Sequence, residues 1–315
     1  MSPPPRVDVS PLCDSVTPEC PVEGTLYGYT PSLAWNAFFA GFFGLCCLIQ
    51  LGFGIRYKTW TYMIGVGLGC FAECVGYIGR LMMHNNPYNE IGFQIQIVLL
   101  IFAPAFLAAG IYLTLKHLVI QFGESWSRLR PAWYTYVFIA CDISSLALQS
   151  AGGAIAATSD EESARDNGTN IMIAGIIWQV VVLVIFGAIA GEYAFRTYRR
   201  RASLSQSALS LLADTKFRLF LGAVGVAYLT IFVRCVYRIP ELLGGWGGDL
   251  MRVESEFIAL EGWMIVLAVL AQTVFHPGYC FPPMSGRKNG GQFRKALSVD
   301  ESNSDVEMMG RANHA

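Results

Sequence analysis

Seven apolar stretches, each about 20 residues long, constrain the fold of this chain more than any other feature. They cover residues 33–55, 59–83, 93–115, 133–157, 171–195, 217–239 and 257–275. A helix of about 20 apolar residues crosses the hydrocarbon core of a bilayer, so the pattern predicts an all-α membrane protein built as a seven-transmembrane helix bundle. Only 14% of the 315 residues are charged, whereas soluble domains carry roughly 25%.

The distribution of positive charge predicts the orientation of the bundle. Sixteen of the 22 Lys and Arg residues fall in the tail or in the loops after the first, third and fifth stretches, and three fall on the other side. Positive residues stay cytoplasmic, so we expect the N-terminus outside and the C-terminus inside. Residues 1–30 then form an extracellular segment and 31–280 the transmembrane domain. The polar tail, 281–315, is predicted to be disordered and cytoplasmic.

Two features on the side predicted to be external indicate secretory-pathway chemistry. Asn167 begins an Asn-Gly-Thr sequon between the fourth and fifth stretches, which predicts a glycoprotein with its glycan at Asn167. Cys13 and Cys20 lie in the N-terminal segment, where a small disulfide loop and a pair of free thiols are both open alternatives.

Ionisable and amide side chains interrupt the apolar stretches at helical spacing, so they share helix faces. Charged groups in a membrane face the bundle interior, and we predict that these faces line a polar cavity in the outer half of the bundle. The predicted substrate-binding residues are Glu73, Tyr77, Arg80, Gln96, Asp142, Gln149, Gln179, Arg234, Arg238, Glu241 and Glu261. The alternative is an internal ion-pair network without a ligand, with Glu73 against Arg234 or Asp142 against Arg80.

Several function classes are excluded by what the sequence lacks. It has no Walker A motif, so no transport is driven by ATP bound to this chain. It also lacks the G-x-S-x-G and H-E-x-x-H motifs, and we expect no enzymatic activity and no metal site. The last stretch has no lysine for retinal, and the third lacks the Asp-Arg-Tyr switch of G-protein-coupled receptors. A net charge of −1 gives no indication of nucleic-acid binding.

Several motifs, in order along the chain, resemble the fungal RTA-like family of lipid-translocating exporters. They are Glu73-x-x-Gly76-Tyr77-x-x-Arg80, Gln96 with Ala103-Pro104 and Tyr112, Asp142 with Gln149-x-x-Gly152-Gly153, Gly175-x-x-x-Gln179, Arg234-x-x-Tyr237-Arg238-x-x-Glu241, and His276-Pro277-Gly278. The resemblance covers about residues 27–278. One departure is Glu261, where relatives often carry Asp.

The resemblance implies a multi-pass fungal membrane protein of the plasma membrane, or of the vacuole or another endomembrane, that confers drug resistance. It would move amphipathic lipids such as sphingoid long-chain bases without ATP. In such a site Glu73, Asp142 and Glu261 would take the amine, and the glutamines the hydroxyl groups. The arginines would keep the acids ionised or bind lipid phosphate.

Two other functions stay open at this point. One is a seven-helix ligand-sensing receptor that recruits a cytoplasmic partner through the basic loop 196–218. The same side also offers short kinase patterns at Ser203 and Ser298. The other is a porphyrin- or haem-binding membrane protein, which the resemblance also implies, with His117 or His276 as axial ligand. Apart from this haem alternative, no cofactor is predicted.

Overall fold

The computed structural model describes residues 13–124, 127–159, 161–201 and 204–285. The predicted kinase sites at Ser203 and Ser298 and residues 286–315 of the predicted tail lie outside the described residues, as do residues 1–12.

Seven helices in the described ranges are long and apolar enough to cross a membrane, which confirms the predicted all-α seven-span bundle. The first five spans are α1 to α5, the sixth is α7, and the seventh comprises several segments. Their bounds are α1 Leu33–Tyr57, α2 Trp60–Asn85, α3 Glu90–Phe122, α4 Pro131–Thr158, α5 Glu162–Arg199, α7 Thr215–Leu243 and the seventh span Glu254–Cys280. Between α5 and α7 lies the short helix α6, Gln206–Ala213, which the apolar stretches did not predict.

The helices extend beyond the apolar stretches, and this changes the setting of the predicted glycan. Helix α5 begins at Glu162, so Asn167 lies in an early turn of a helix and not in a loop. Its side chain is exposed, whereas the hydroxyl of Thr169 donates to the Arg165 carbonyl and accepts from Trp246. Residues 162–170 are mostly polar and still helical, because this part of α5 extends beyond the hydrocarbon core of the bilayer, where water solvates the side chains.

Two irregularities interrupt the spans near their charged residues. Pro104 lies inside α3, and because proline has no N–H, the Leu100 carbonyl one turn earlier loses its helical donor. The seventh span begins with an α-helical turn, Glu254–Glu256, continues as a π-helical segment, Phe257–Trp263, and resumes as regular helix over Met264–Val274. Such π-bulges are frequent at functional sites, and this one carries Glu261.

The N-terminal segment folds back onto one end of the bundle. A disulfide joins Cys13 to Cys20, which resolves the alternatives left open by the sequence. Further along, the backbone N–H of Ser32 donates to Glu254 Oε1 at 2.6 Å. Arg252 Nη2 donates to the Glu23 carbonyl oxygen, also at 2.6 Å. The segment is therefore bound to the loop before the seventh span and to its first turn.

Candidate functional site

A buried ion pair lies at the centre of the polar cluster. Arg234 from α7 bonds the Glu261 carboxylate in the π-helical segment, and both side chains are at most 3% exposed. Arg234 Nη2 also donates to the Leu100 carbonyl oxygen at 2.5 Å. This is the carbonyl freed by Pro104, so one guanidinium satisfies the acceptor left by the proline and balances a buried carboxylate. Three spans are joined at this point.

Glu73 lies beside this pair without bonding to it. Its side chain is completely buried in α2, and neither carboxylate oxygen has a hydrogen-bond donor among the described residues. Arg234 and Glu261 both act on it electrostatically. A buried carboxylate without donors is a costly arrangement, and it is the least satisfied group of the cluster. The absence of a side chain at Gly76 lets Leu100 of α3 pack directly against this face of α2.

Arg80 lies one layer further along α2, inside a cage of aromatic rings. Its guanidinium carbon is 3.8 Å from the centre of the Phe257 ring and 5.2 Å from that of Tyr27. Its Nε donates to Asn36 Oδ1 and its Nη2 to the Tyr29 hydroxyl, each at 3.0 Å. Stacking and hydrogen bonds thus stabilise a charge that is completely buried.

The two tyrosines of the cage come from the N-terminal segment and close the cluster from that side. Burial raises the pKa of Tyr29, although Arg80 opposes the effect, so its hydroxyl is neutral at physiological pH. Gln96 Nε2 of α3 donates to the Tyr27 hydroxyl at 2.8 Å. The bonds between Tyr29 and Arg80 and between Tyr27 and Gln96 bind the segment over the ends of α2 and α3. On α7, Arg238 Nη1 donates to Glu241 Oε2 of the same helix at 2.7 Å.

Tyr77 is buried between helices and contributes packing to the site. Its ring lies 4.9 Å from Phe39 and stacks on Phe43 at 5.7 Å between centres. Its hydroxyl has no hydrogen-bond partner among the described residues. An unpartnered hydroxyl at this depth is a second polar group that a bound ligand would satisfy.

A separate group of predicted residues lies between α4 and α5. Gln149 Nε2 donates to Ser145 Oγ at 2.7 Å and to Gln179 Oε1 at 3.1 Å. Gly175 lets the helices approach closely, because a Cβ there would lie 2.8 Å from Gln149 Cγ. Asp142 faces the Tyr112 hydroxyl of α3, but that hydroxyl has no hydrogen-bond partner among the described residues. The glutamine and serine bonds therefore join α4 to α5, and a single hydrogen bond links the two glutamines.

The structure corrects both predicted charge pairs and the predicted cavity. Arg234 pairs with Glu261 and not with Glu73, and Arg80 approaches Glu254 at 4.0 Å and not Asp142. Helix spacing correctly predicted which helix faces carry the charged residues, but not which residues pair. One reason is that the π-helical segment rotates Glu261 relative to its position in a regular helix. The predicted site residues are at most 5% exposed, so in this structure they are closed off from solvent and do not line an open cavity.

Five further residues belong to the site and were not among the predicted ones: Tyr27, Tyr29, Asn36, Glu254 and Phe257. The tyrosines lie before the first apolar stretch, in a segment whose composition gave no reason to expect contact with the bundle. Asn36 was visible as one of two amides in the first stretch, with Gln50, and such amides are a usable signal for a buried partner.

The two histidines proposed as haem ligands have other surroundings. His276 is completely buried, and its ring lies 5.3 Å from Phe53 and 5.2 Å from Tyr62. His276 Nδ1 accepts from the Gly278 backbone N–H at 3.0 Å. His117 Nδ1 lies 2.7 Å from the Leu113 carbonyl of its own helix. A porphyrin at His276 would require the aromatic rings around it to move, so the haem prediction gains no support from this geometry.

Comparison with known proteins identifies one family. Residues 66–284 match the family model described as "RTA1 like protein". The chain is 32% identical over 288 residues to the sphingoid long-chain base transporter RSB1 of Saccharomyces cerevisiae, covering 82% of this chain and 75% of that protein.

Two further relatives from the same organism carry different names. Protoporphyrin uptake protein 1 is 28% identical over 207 residues, 65% of each chain. Protein RTM1 is 29% identical over 230 residues, 71% of this chain and 72% of the relative. No solved structure shows a significant match.

Proposed function

Because the chain belongs to the RTA1-like protein family, we propose that it translocates amphipathic lipids of the sphingoid long-chain base class across a fungal membrane without ATP. Its transporter relative RSB1 is named for such lipids. We further propose that it acts by binding and moving its substrate and not by catalysis. We place it in the plasma membrane, and we place the N-terminus outside because the positive charges cluster on the other side of the bundle.

The observation that carries the proposal is the unsatisfied carboxylate of Glu73. A sphingoid base has a primary ammonium group, two or three hydroxyls and a long chain. Its ammonium supplies three donors to a carboxylate that has none of its own among the described residues. Arg234 is already neutralised by Glu261, so Glu73 in its ionised form gives the three groups a net negative charge, which favours a cationic ligand.

The rest of the bound lipid has partners in the same region. The Tyr77 hydroxyl, which lacks a partner in the described structure, can bond a substrate hydroxyl. The aromatic rings of Phe39 and Phe43 beside it offer apolar surface to the first methylenes. The observed state is closed, and we propose that substrate enters when Tyr27 and Tyr29 release Gln96 and Arg80. The contacts that break include two hydrogen bonds and the cation–π contact of Arg80 with Tyr27, all between the segment and the bundle, so the helices stay packed.

The test is flux of a fluorescent sphingoid base in liposomes that contain the purified full-length protein and no nucleotide. We expect wild-type protein to raise the flux well above that of empty liposomes, and Glu73→Gln to return it to that baseline. The matched control is Glu90→Gln, which removes the same charge from an exposed position at the start of α3.

Three outcomes would count against the proposal. If liposomes with Glu73→Gln protein show the same flux as those with wild-type protein, Glu73 does not receive the substrate ammonium group. An equal loss from Glu90→Gln would point to a general charge effect. No flux from wild-type protein, with ligand binding intact, would favour the receptor function over transport.

A second substrate class is favoured by one observation, the similarity to protoporphyrin uptake protein 1. A porphyrin carries carboxylates, so it would be attracted to arginine and repelled by Glu73. We therefore expect Glu73→Gln to leave protoporphyrin flux unchanged or raise it, while base flux falls. Measuring both fluorescent substrates in the same liposomes distinguishes the two classes.

A further inference from the structure

A cavity of about 540 Å³ opens at the end of the bundle opposite Arg80. It lies between the C-terminal ends of α3 and α5, helix α6 and the first turns of α7. Helix α3 starts beside the Arg80 end and has 33 residues, so its far end lies about 50 Å away at about 1.5 Å per residue. The volume falls within the roughly 300–1,000 Å³ of small-molecule pockets.

The floor of this cavity is apolar. It is formed by Leu115, Leu118 and Phe122 of α3 and by Tyr193 of α5, each at most 9% exposed. The small side chains of α5, such as Ala190, leave the space above the floor open. A deep apolar floor between helix ends fits a hydrocarbon chain better than it fits water.

The rim of the same cavity is cationic. Arg201 and Arg218 both line it, and both are exposed. Within the described part of the chain, neither guanidinium forms a hydrogen bond or an ion pair. In contrast, Arg128 and Arg196 on the same side are both paired with Glu192. Two arginines without a partner in the described structure therefore stand at the mouth of the apolar cavity.

We propose that this cavity binds an anionic membrane lipid, whose acyl chain occupies the floor and whose phosphate bonds Arg201 and Arg218. Guanidinium groups bind phosphate in a bidentate manner and are weakly hydrated, which fits a lipid headgroup at an interface. Most of the basic loop residues lie at this end, which the charge distribution predicts to be cytoplasmic, and basic residues near a leaflet attract anionic lipids. The site is separate from Glu73 and does not depend on the proposed transport.

The experiment is a titration of the purified full-length protein with phosphatidylglycerol and with phosphatidylcholine of the same chain length, followed by native mass spectrometry. We expect wild-type protein to bind phosphatidylglycerol about tenfold more tightly or better. Arg201→Gln/Arg218→Gln should lose this preference. Arg199→Gln/Lys216→Gln removes the same charge from the same end outside the cavity lining, and should keep it.

A second pair of variants tests the apolar part of the cavity. These variants change no charge, and their result does not depend on whether the arginine variants fold. Ala190→Phe fills the cavity, whereas Ala188→Phe adds the same side chain to an exposed face of α5 outside it. We expect Ala190→Phe to weaken binding of both lipids at least fivefold and Ala188→Phe to bind them as wild type does.

Three results would overturn the proposal. The first is equal binding of the two lipids by wild-type protein. The second is an equal loss of the preference for phosphatidylglycerol in Arg201→Gln/Arg218→Gln and in Arg199→Gln/Lys216→Gln, which would show diffuse attraction by surface charge. The third is full competition by glycerol phosphate at the same concentration as lipid, which would show that the chain contributes nothing. If the Arg201→Gln/Arg218→Gln protein does not fold, the comparison of Ala190→Phe with Ala188→Phe decides the matter.

Discussion

The two buried carboxylates near Arg234 should respond differently to the same neutralising substitution. Glu261→Gln removes the charge that balances Arg234, whereas Glu73→Gln removes a charge that has no hydrogen-bond donor in the described structure. Breaking a buried ion pair by changing one partner destabilises a protein by about 3–5 kcal/mol. The glutamine carbonyl still accepts one bond, and Arg234 retains the Leu100 carbonyl. We therefore expect the lower end, about 3 kcal/mol.

For Glu73→Gln, the free energy of unfolding should stay within about 1 kcal/mol of wild type or rise, because a neutral amide is cheaper to bury than a carboxylate. Thermal unfolding of the purified variants measures the difference, and about 3 kcal/mol corresponds to roughly 6–12 °C in a domain of this size. If Glu73→Gln lowers the melting temperature as far as Glu261→Gln does, Glu73 is a structural partner of Arg234. The reasoning that reserves it for a ligand would then be wrong.

Three other predictions concern the packing and chemistry of particular residues. Gly175→Ala should destabilise the fold by about 1–3 kcal/mol, because the added methyl group separates α4 from α5. Its control is Gly225→Ala, where a Cβ meets nothing within 4 Å, and this change should be neutral or stabilising by up to about 1 kcal/mol. Chemical unfolding measures both variants. Arg80→Lys keeps the charge but loses the planar stack on Phe257, so the same assay should show a loss of about 2 kcal/mol, and an unchanged stability would contradict the cage. Asn167→Gln should abolish the gel shift caused by glycosidase treatment without altering thermal stability, and a shift that persists in the variant would place the glycan elsewhere.

Much of the fold could be predicted because the bilayer allows few solutions. A stretch of about 20 apolar residues has to be helical in lipid, and seven such stretches define the spans. Periodicity also placed Arg234 and Glu261 in the bundle interior. Helix ends were less predictable: the polar turns of α5 from Glu162 continue the helix, and composition alone assigns such residues to a loop.

The sequence could not predict which side chains pair between helices, for physical reasons. Each span can rotate about its axis, and a π-helical segment shifts the face that carries Glu261 relative to a regular helix. The free carbonyl of Leu100 was implied by Pro104, but the sequence did not indicate which donor would reach it. The contribution of Tyr27 and Tyr29 depends on how a segment outside the spans folds back, which apolar periodicity does not encode.

The most direct measurement of the central claim compares the binding of sphingosine with that of its N-acetylated analogue, which has the same chain and hydroxyls but no charge. Both are titrated into purified wild-type and Glu73→Gln protein by isothermal calorimetry or fluorescence. We expect wild-type protein to bind the amine at least tenfold more tightly than the amide, and Glu73→Gln to bind the two alike. The same preference for the amine in both proteins would show that Glu73 does not receive the ammonium group and would contradict the proposed mechanism.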